Sequence, residues 1–233
     1  MSHKEQLSAQ RVNTIINGES KREDKQCARV IEKVRADLEK EFGIHLFWEK
    51  KILLSDVIDH LKKIYPTVDF GTASDTSFMT PDGGITFIVG KDGERYPLLI
   101  AEVKNQGTND LRAAEGKAKQ AQGNAVERLG KNVIGFRTYM LNEAIFPFVC
   151  FGDGCDFNPG SSILDRVLTI AMFGNLNQEH TMNVGPHNEF NRGSYYFRGP
   201  YWTADEMYAR LMPVARKAVF YYFSKYGDSY FKY

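Results

Sequence analysis

Apolar and polar residues follow two spacings along the chain, and each spacing predicts a different kind of element. Four stretches carry apolar residues at about every third or fourth position, as the buried face of a helix requires; these are residues 19–43, 55–66, 163–174 and 204–227. Three shorter runs are almost continuously apolar and predict buried strands; these are ITFIV (85–89), YPLLIAEV (96–103) and FPFVCF (146–151).

Glycine, proline and capping residues indicate where the helices begin and end. Gly43 is placed as the C-cap of the first helix, because glycine adopts a left-handed conformation without strain. Ser55 or Asp56 is placed as the N-cap of the second helix, which stops before Pro66. The last helix contains Pro213, which lacks a backbone donor, so a bend is expected there.

The order of the elements predicts the fold class. The segment GKDGER (90–95) joins the first two apolar runs and predicts a hairpin. An alanine-rich, charged stretch from Thr108 to Leu129 predicts a helix with glycine interruptions, and residues 175–201 predict loops or short strands. The order helix, strand pair, helix, strand, helix predicts an α/β fold with a mixed central β-sheet flanked by α-helices.

Composition narrows the class of protein. The 233 residues fit a single domain, 1–233, in which residues 1–25 are expected to form a polar N-terminal arm. No apolar run reaches membrane-spanning length and the N-terminus is too polar for a signal peptide, so a cytoplasmic protein with reduced cysteines is expected. The net charge is only +1, so any nucleic-acid surface must be local.

The second predicted strand ends with an acid and a base on one face. Glu102 and Lys104 share that face because side chains alternate along a strand. If the hairpin folds about Asp92, Asp82 of PDGG lies opposite Glu102, where two carboxylates repel. Such a pair needs a shared proton or a cation, and a divalent ion such as Mg²⁺ can act with Lys104. From these residues alone, a polar strand end with solvated charges remains the alternative.

The order of several motifs resembles a known nuclease family. PDGG (81–84) followed by AEVK (101–104) resembles the PD-(D/E)XK signature of restriction-endonuclease-like nucleases. Over residues 52–174 the chain resembles the EcoRI-like type II restriction endonucleases, through LKKIYP, PDGGI, LLIAEVKNQG, GNAVERLGKN and FPFVCF. This resemblance implies a restriction-endonuclease-like core and a homodimer that hydrolyses both strands of double-stranded DNA with Mg²⁺, leaving 5′-phosphates. It also implies a cognate DNA methyltransferase in a bacterial cytoplasm.

The resemblance assigns roles to the charged cluster. Asp82 and Glu102 would be Mg²⁺ ligands, and Lys104 would hold or polarise the attacking water and stabilise the pentavalent phosphate. The chemistry agrees, since a metal ion neutralises the phosphate and an ammonium group adds a cation where negative charge develops. No Ser, Cys or His nucleophile is required, so Cys150 and the histidines are expected to be structural or surface residues.

The GNAVER segment (123–128) is the candidate base-reading element. Asn124 can bond adenine bidentately in the major groove, and Arg128 can reach purine N7 or O6. Gly123 allows close approach of the backbone, and Ala125 is small enough for a thymine methyl. From the hexapeptide alone, an ordinary helix turn with solvated charges remains open.

The resemblance extends this segment to the inner AATT of a recognition site. The residues that would read these bases are Ala121, Gly123, Asn124, Ala125 and Arg128. Glu127 would buttress the Asn and Arg, and Lys117 and Lys119 are candidates for phosphate contacts, which position without specifying.

The chain departs from the family pattern in the residues for the outer base pair. The family's matching segment carries two arginines, whereas ILDRVLT (163–169) retains only Arg166. Arg192 or Arg198 could also reach the groove from the Asn/Gly-rich region. A single arginine that bonds purine N7 accepts A and G alike, so purine-AATT-pyrimidine is favoured over strict GAATTC.

Two other functions remain as alternatives. A repair or junction-resolving nuclease of the same fold would recognise DNA structure and would need no base-reading helix, which the GNAVER segment argues against. A catalytically inactive DNA-binding module would have lost part of its centre, which the intact Asp82, Glu102 and Lys104 argue against.

Overall fold

The computed structural model describes residues 14–107, 113–117, 124–183 and 191–232. Its helices are α1 (Thr14–Phe42), α2 (Leu54–Ile64), α3 (Asn124–Tyr139), α4 (Ser162–Ile170) and α5 (Ala204–Tyr226). Its strands are β1 (Leu46–Glu49), β2 (Ile52–Leu53), β3 (Phe78–Met79), β4 (Gly84–Val89), β5 (Arg95–Gly107), β6 (Phe148–Gly154) and β7 (Ser194–Arg198).

The described strands form a five-stranded mixed sheet and a small separate pair. The large sheet has the order β1-β4-β5-β6-β7, and β2 pairs with β3. Neighbours from β1 to β5 are antiparallel, whereas β5, β6 and β7 run parallel to one another. The predicted α/β class with a mixed central sheet is therefore confirmed, as are the hairpin and the strand at FPFVCF.

Helices cover the sheet and hold β5 at its centre. α1 and α5 pack against each other and both contact β5, while α3 packs against α4 and α2. The apolar runs of β4, β5 and β6 are buried, as a central strand covered on both faces requires. This burial explains why those runs are apolar throughout instead of alternating.

α1 begins and ends where helix chemistry allows. It starts at Thr14, so the segment 1–25 that composition assigns to a polar arm is helical from that residue onward, and residues 1–13 lie outside the described residues. Glu, Lys and Arg are good helix formers, which favours helix in this polar stretch. Gly43 ends the helix as predicted, with φ +62° and its N–H donating to the carbonyl of Glu39.

The second predicted helix is confirmed, but its predicted cap is wrong. The N-cap of α2 is Leu53 in an extended conformation with no side-chain cap, instead of Ser55 or Asp56. The cause is the β2–β3 pairing, because Leu53 pairs with Phe78 and the chain passes directly from strand to helix. The N–H of Leu54 donates to the carbonyl of Ser77 and continues that pairing.

The helix predicted over Thr108–Leu129 differs most from the structure. α3 begins at Asn124 and runs ten residues beyond Leu129, to Tyr139. Its buried stripe supplies the reason; it comprises Val126, Leu129, Val133 and Phe136. Gly116, with φ +68°, follows a helical turn at residues 113–114, and residues 108–112 and 118–123 lie outside the described residues.

The C-terminal half follows the predicted order. α4 is capped by Ser161, whose hydroxyl accepts from the N–H of Ile163. α5 starts with a capping box formed by Thr203 and Glu206 and is one helix through Pro213. The Asn/Gly-rich region contributes only the short strand β7 among its described residues, as expected.

Candidate active site

The PDGG segment forms a tight turn that leads into β4. The N–H of Gly84 donates to the carbonyl of Pro81 over 3.0 Å, and the N–H of Gly83 donates to the carbonyl of Ala101 over 2.9 Å. Gly84 has φ +76°, a conformation that other residues adopt only with strain. Asp82 is therefore held in a turn beside β5 and is not part of the strand.

The pairing of the hairpin differs from the predicted register by one residue at the site. Near the turn, Val89 faces Arg95 as predicted, but the register shifts between Thr86 and Phe87 and leaves Leu98 unpaired as a β-bulge. Beyond the bulge, Gly84 pairs with Ala101, so the predicted opposition of Asp82 and Glu102 is wrong. The carboxylates still meet because a turn residue does not obey strand alternation.

The three predicted catalytic side chains lie together. Nζ of Lys104 pairs with Oδ2 of Asp82 at 3.1 Å and with Oε1 of Glu102. The backbone N–H of Asp82 donates to Oε2 of Glu102 over 3.1 Å, and Oδ2 of Asp82 accepts from the N–H of Val103 over 3.4 Å. The two carboxylates differ in solvent exposure: the side chain of Glu102 is 1% exposed and that of Asp82 is 36% exposed. Asp82 is thus the carboxylate open to a substrate.

Burial and neighbouring charges shift the pKa values of Glu102 and Lys104. Burial raises the pKa of Glu102 to about 7, the charge of Asp82 adds to this, and Lys104 opposes it. Burial lowers the pKa of Lys104, but the carboxylates of Glu102 and Asp82 outweigh this effect and raise it overall. Lys104 therefore carries a positive charge, while Glu102 titrates near neutral pH. Such shifts are typical of functional sites.

The donor set suits a small, hard cation. Oδ2 of Asp82 and Oε1 of Glu102 contact the same ammonium group, so both oxygens can reach one cation between them. Among the described residues, no group of three or more His, Cys, Asp or Glu could hold a metal ion. Two carboxylates completed by water and phosphate oxygens are the ligand set that Mg²⁺ prefers.

His45, His60 and Cys150 lie outside this chemistry. His45 and His60 pair with Glu39 and Glu94, away from the cluster. Cys150 faces Glu102 across the β5–β6 pair, but it is fully buried, and burial raises the pKa of its thiol well above the usual range. A neutral, buried thiol does not act as a nucleophile.

Two residues near the cluster were not singled out from the sequence. Asn132 on α3 places its Nδ2 3.5 Å from Oε1 of Glu102 and 3.4 Å from the carbonyl of Thr80. Asp24 on α1 has a raised pKa, caused first by burial and then by the charge of Asp82. Asn132 ends the quoted segment GNAVERLGKN and lies at helical spacing from Asn124 and Arg128, which is the signal that could have found it.

The structure describes the candidate DNA-binding residues only in part. Glu127 and Arg128 are exposed in the first turns of α3, next to the buried Val126 and Leu129. Lys117 pairs with Glu115 at 3.1 Å. Lys119, Ala121 and Gly123 lie outside the described residues. For Asn124 and Ala125 the structure describes the helical backbone only.

α3 connects the two candidate sites, and α4 lies against it. The N-terminus of α3, where backbone donors favour anions, carries Asn124 and Arg128, and Asn132 further along it reaches Glu102. A Cβ on Gly130 would lie in van der Waals contact with Ile170 of α4. Arg166, on α4, is exposed. The structure thus places Arg166 on the helix neighbouring the candidate base-reading helix.

No helix in the described part of the chain is both long enough and apolar enough to cross a membrane.

Comparison with known proteins identifies close similarities. A family model described as restriction endonuclease EcoRI matches residues 9–163, more than half of the chain. The chain is 30% identical over 195 residues to the type II restriction enzyme RsrI of Cereibacter sphaeroides, a match covering 69% of this chain and 70% of RsrI. It is also 30% identical over 158 residues to the type II restriction enzyme EcoRI of Escherichia coli, covering 64% of this chain and 57% of EcoRI.

Proposed function

Because the chain belongs to the EcoRI family of type II restriction endonucleases, which are site-specific deoxyribonucleases, we propose that it cleaves a short DNA palindrome containing AATT. Both strands of double-stranded DNA would be hydrolysed with Mg²⁺, leaving 5′-phosphates. The observation that carries this proposal is the cluster of Asp82, Glu102 and Lys104, which α3 joins to the candidate base-reading residues.

Asp82 and Glu102 would hold the metal ion. A bound Mg²⁺ supplies charge neutralisation at the scissile phosphate and lowers the pKa of a coordinated water. Glu102 is fixed by the N–H of Asp82 and by Lys104, so its carboxylate is oriented before substrate arrives. Asp82 is more exposed, so its carboxylate would be the one that an approaching phosphate reaches.

Lys104 would act on the reacting phosphate. Its ammonium lies beside both carboxylates and is held positively charged by them, so a cation stands where negative charge develops. The same ammonium can orient the attacking water toward phosphorus. Its side chain is only 12% exposed, which limits screening by solvent and strengthens its electrostatic effect.

The N-terminal part of α3 would read the inner AATT. Asn124 and Arg128 would bond base edges in the major groove, with Gly123, Ala125 and Ala121 permitting close approach and Glu127 buttressing the readers. Lys117 and Lys119 would contact phosphates, and Lys117 would exchange its pairing with Glu115 for this contact. Arg166 on the neighbouring α4 would read the purine of the outer pair.

A palindrome has two-fold symmetry, so a homodimer with C2 symmetry would present one catalytic cluster to each strand. Cleavage of cellular DNA would then have to be prevented by a DNA methyltransferase with the same sequence specificity.

Digestion of a plasmid of known sequence, followed by sequencing of the fragment ends, tests the proposal. With Mg²⁺ we expect double-strand cuts at GAATTC and AAATTT, ends that carry 5′-phosphates, and no cleavage in EDTA. A single arginine that bonds purine N7 should leave CAATTG and TAATTA resistant. Cleavage only at branched or mismatched DNA would instead indicate a structure-specific nuclease. Absence of any cleavage with Mg²⁺ or Mn²⁺ would contradict the proposed activity.

A further inference from the structure

Trp48 lies on the edge strand β1 and reaches the turn that carries Asp82. Trp48 pairs with Thr86 of β4, and its ring extends diagonally toward Gly84, two residues away. Its Nε1–H donates to the carbonyl of Gly83 over 3.0 Å. The indole therefore bonds the backbone of the residue that directly follows Asp82.

The turn is enclosed between Trp48 and the opposite wall of the site. A Cβ on Gly84 would lie 2.4 Å from Nε1 of Trp48, so the ring occupies the space that a side chain would need. A Cβ on Gly83 would lie 2.8 Å from Cβ of Ala101 and 2.9 Å from Sγ of Cys27. Both glycines of PDGG are thus required by close packing, with the indole as one of the packed surfaces.

Asp82 depends on this backbone for its position. Its carboxylate accepts from the N–H of Val103 only at 3.4 Å and from Lys104 at 3.1 Å. Its N–H orients Glu102, so a shift of the turn would displace both carboxylates together. Metal-binding carboxylates require support from neighbouring groups, and loss of such support weakens metal binding.

We propose that Trp48 is a positioning residue for the metal site. By bonding Gly83 and covering Gly84, it fixes the turn in which Asp82 and Glu102 reach one cation together. This inference rests on the proposed Mg²⁺-dependent cleavage. The indole is 40% exposed, so apolar burial alone gives a weak reason for tryptophan at this edge position.

The substitution Trp48→Phe keeps an aromatic ring and removes only the N–H donor. We expect the Mg²⁺ concentration for half-maximal single-turnover cleavage to rise about 10-fold, the lower end of the effect of removing a supporting group from a metal site. DNA binding without metal should be unchanged, and the thermal midpoint should move by less than about 4 °C. Phe47→Leu is the matched control, because Phe47 is a neighbouring exposed aromatic residue on the other face of β1.

An unchanged Mg²⁺ requirement in Trp48→Phe would overturn the proposal. An equal loss of metal-free DNA binding would also overturn it, because Trp48 would then contact DNA directly. If neither the wild type nor the variant cleaves DNA, the proposed function fails, and Ca²⁺ binding then tests the metal site by itself.

Tryptophan emission of the wild-type protein provides that second measurement and does not require Trp48→Phe to fold. Trp48 and Trp202 are the two tryptophans, and Trp202 is buried with its Nε1–H bonded to the carbonyl of Gly152. Ca²⁺ alone should change the emission of the wild-type protein, and Asp82→Asn should abolish that change. A wild-type emission that does not respond to Ca²⁺, under conditions where Ca²⁺ competes with Mg²⁺ or alters the thermal midpoint, would contradict contact between Trp48 and the metal-binding turn.

Discussion

Glu102 combines full burial with a carboxyl group, and this has a measurable effect on stability. Its pKa in the folded protein is raised to about 7, mainly by burial, from the ordinary value of 4.5. A carboxyl with a raised pKa binds its proton more tightly in the folded state than in the unfolded state. This group therefore contributes most to stability below the ordinary pKa, and its contribution falls as pH rises toward 7.

The substitution Glu102→Gln removes this titration and keeps the shape of the side chain. In EDTA, the thermal midpoint of Glu102→Gln relative to wild type should rise between about pH 5 and about pH 8, because only the wild type buries a charge at the higher pH. Glu32→Gln, on the exposed face of α1, is the control and should show no such trend. A difference that stays constant or falls with pH would contradict a raised pKa of Glu102 in the folded protein.

At the scale of elements, α3 carries the proposed base readers at its start and Asn132, which contacts Glu102, further along. Asn124 and Arg128 precede Asn132 on one helix, so the proposed base readers would be linked through α3 to the proposed metal site. Asn124→Ala and Arg128→Ala should weaken binding to an AATT palindrome by about 1–3 kcal/mol each and affect random DNA far less. Competition titrations measure this difference.

Lys117→Ala provides the contrast within the same region. A phosphate contact is independent of sequence, so this variant should weaken cognate and random binding about equally and reduce the slope of log K against log salt by about 1. If Lys117→Ala weakened only cognate binding and Asn124→Ala weakened cognate and random binding equally, the GNAVER segment would not be the base-reading element.

The sequence predicted the elements that depend on local pattern. The hairpin followed from two apolar runs and a glycine-rich connection, and α4 and α5 followed from helical spacing. Glu102 and Lys104 were singled out because they share one face of a strand end, and Asp82 because a second carboxylate opposite Glu102 would need a cation. The structure places the three side chains together, although Asp82 reaches the others from a turn.

The parts that the sequence did not predict depend on contacts between distant segments. The bulge at Leu98 shifts the register between β4 and β5, and Pro97, which has no N–H to donate to the ladder, directly precedes it and is the local signal that could have indicated it. Asp24 and Asn132 approach Asp82 and Glu102 from α1 and α3, and Trp48 approaches the neighbouring Gly83 from β1, each across a large separation in sequence. Helical spacing could have indicated Asn132, whereas the approach of Trp48 and Asp24 follows only from the folded chain.

At the scale of the whole molecule, the proposed homodimer would place a symmetric pair of clusters on the two strands of one palindrome. α1 and α5 pack against β5, and the candidate base readers lie at the start of α3. Each protomer would supply one catalytic cluster. Because the palindrome is two-fold symmetric, each scissile phosphate would then lie at one cluster. Cleavage of the two strands should therefore be coupled.

The most direct measurement is the conversion of a supercoiled plasmid with a single AATT palindrome to linear DNA in Mg²⁺. The wild type and the control Lys62→Ala, an exposed residue of α2, should produce linear DNA with little nicked intermediate. Lys104→Ala should bind the site and lose cleavage by at least about 100-fold, because it removes the cation beside the developing phosphate charge. Linear product from Lys104→Ala at a rate near that of the wild type would contradict the account.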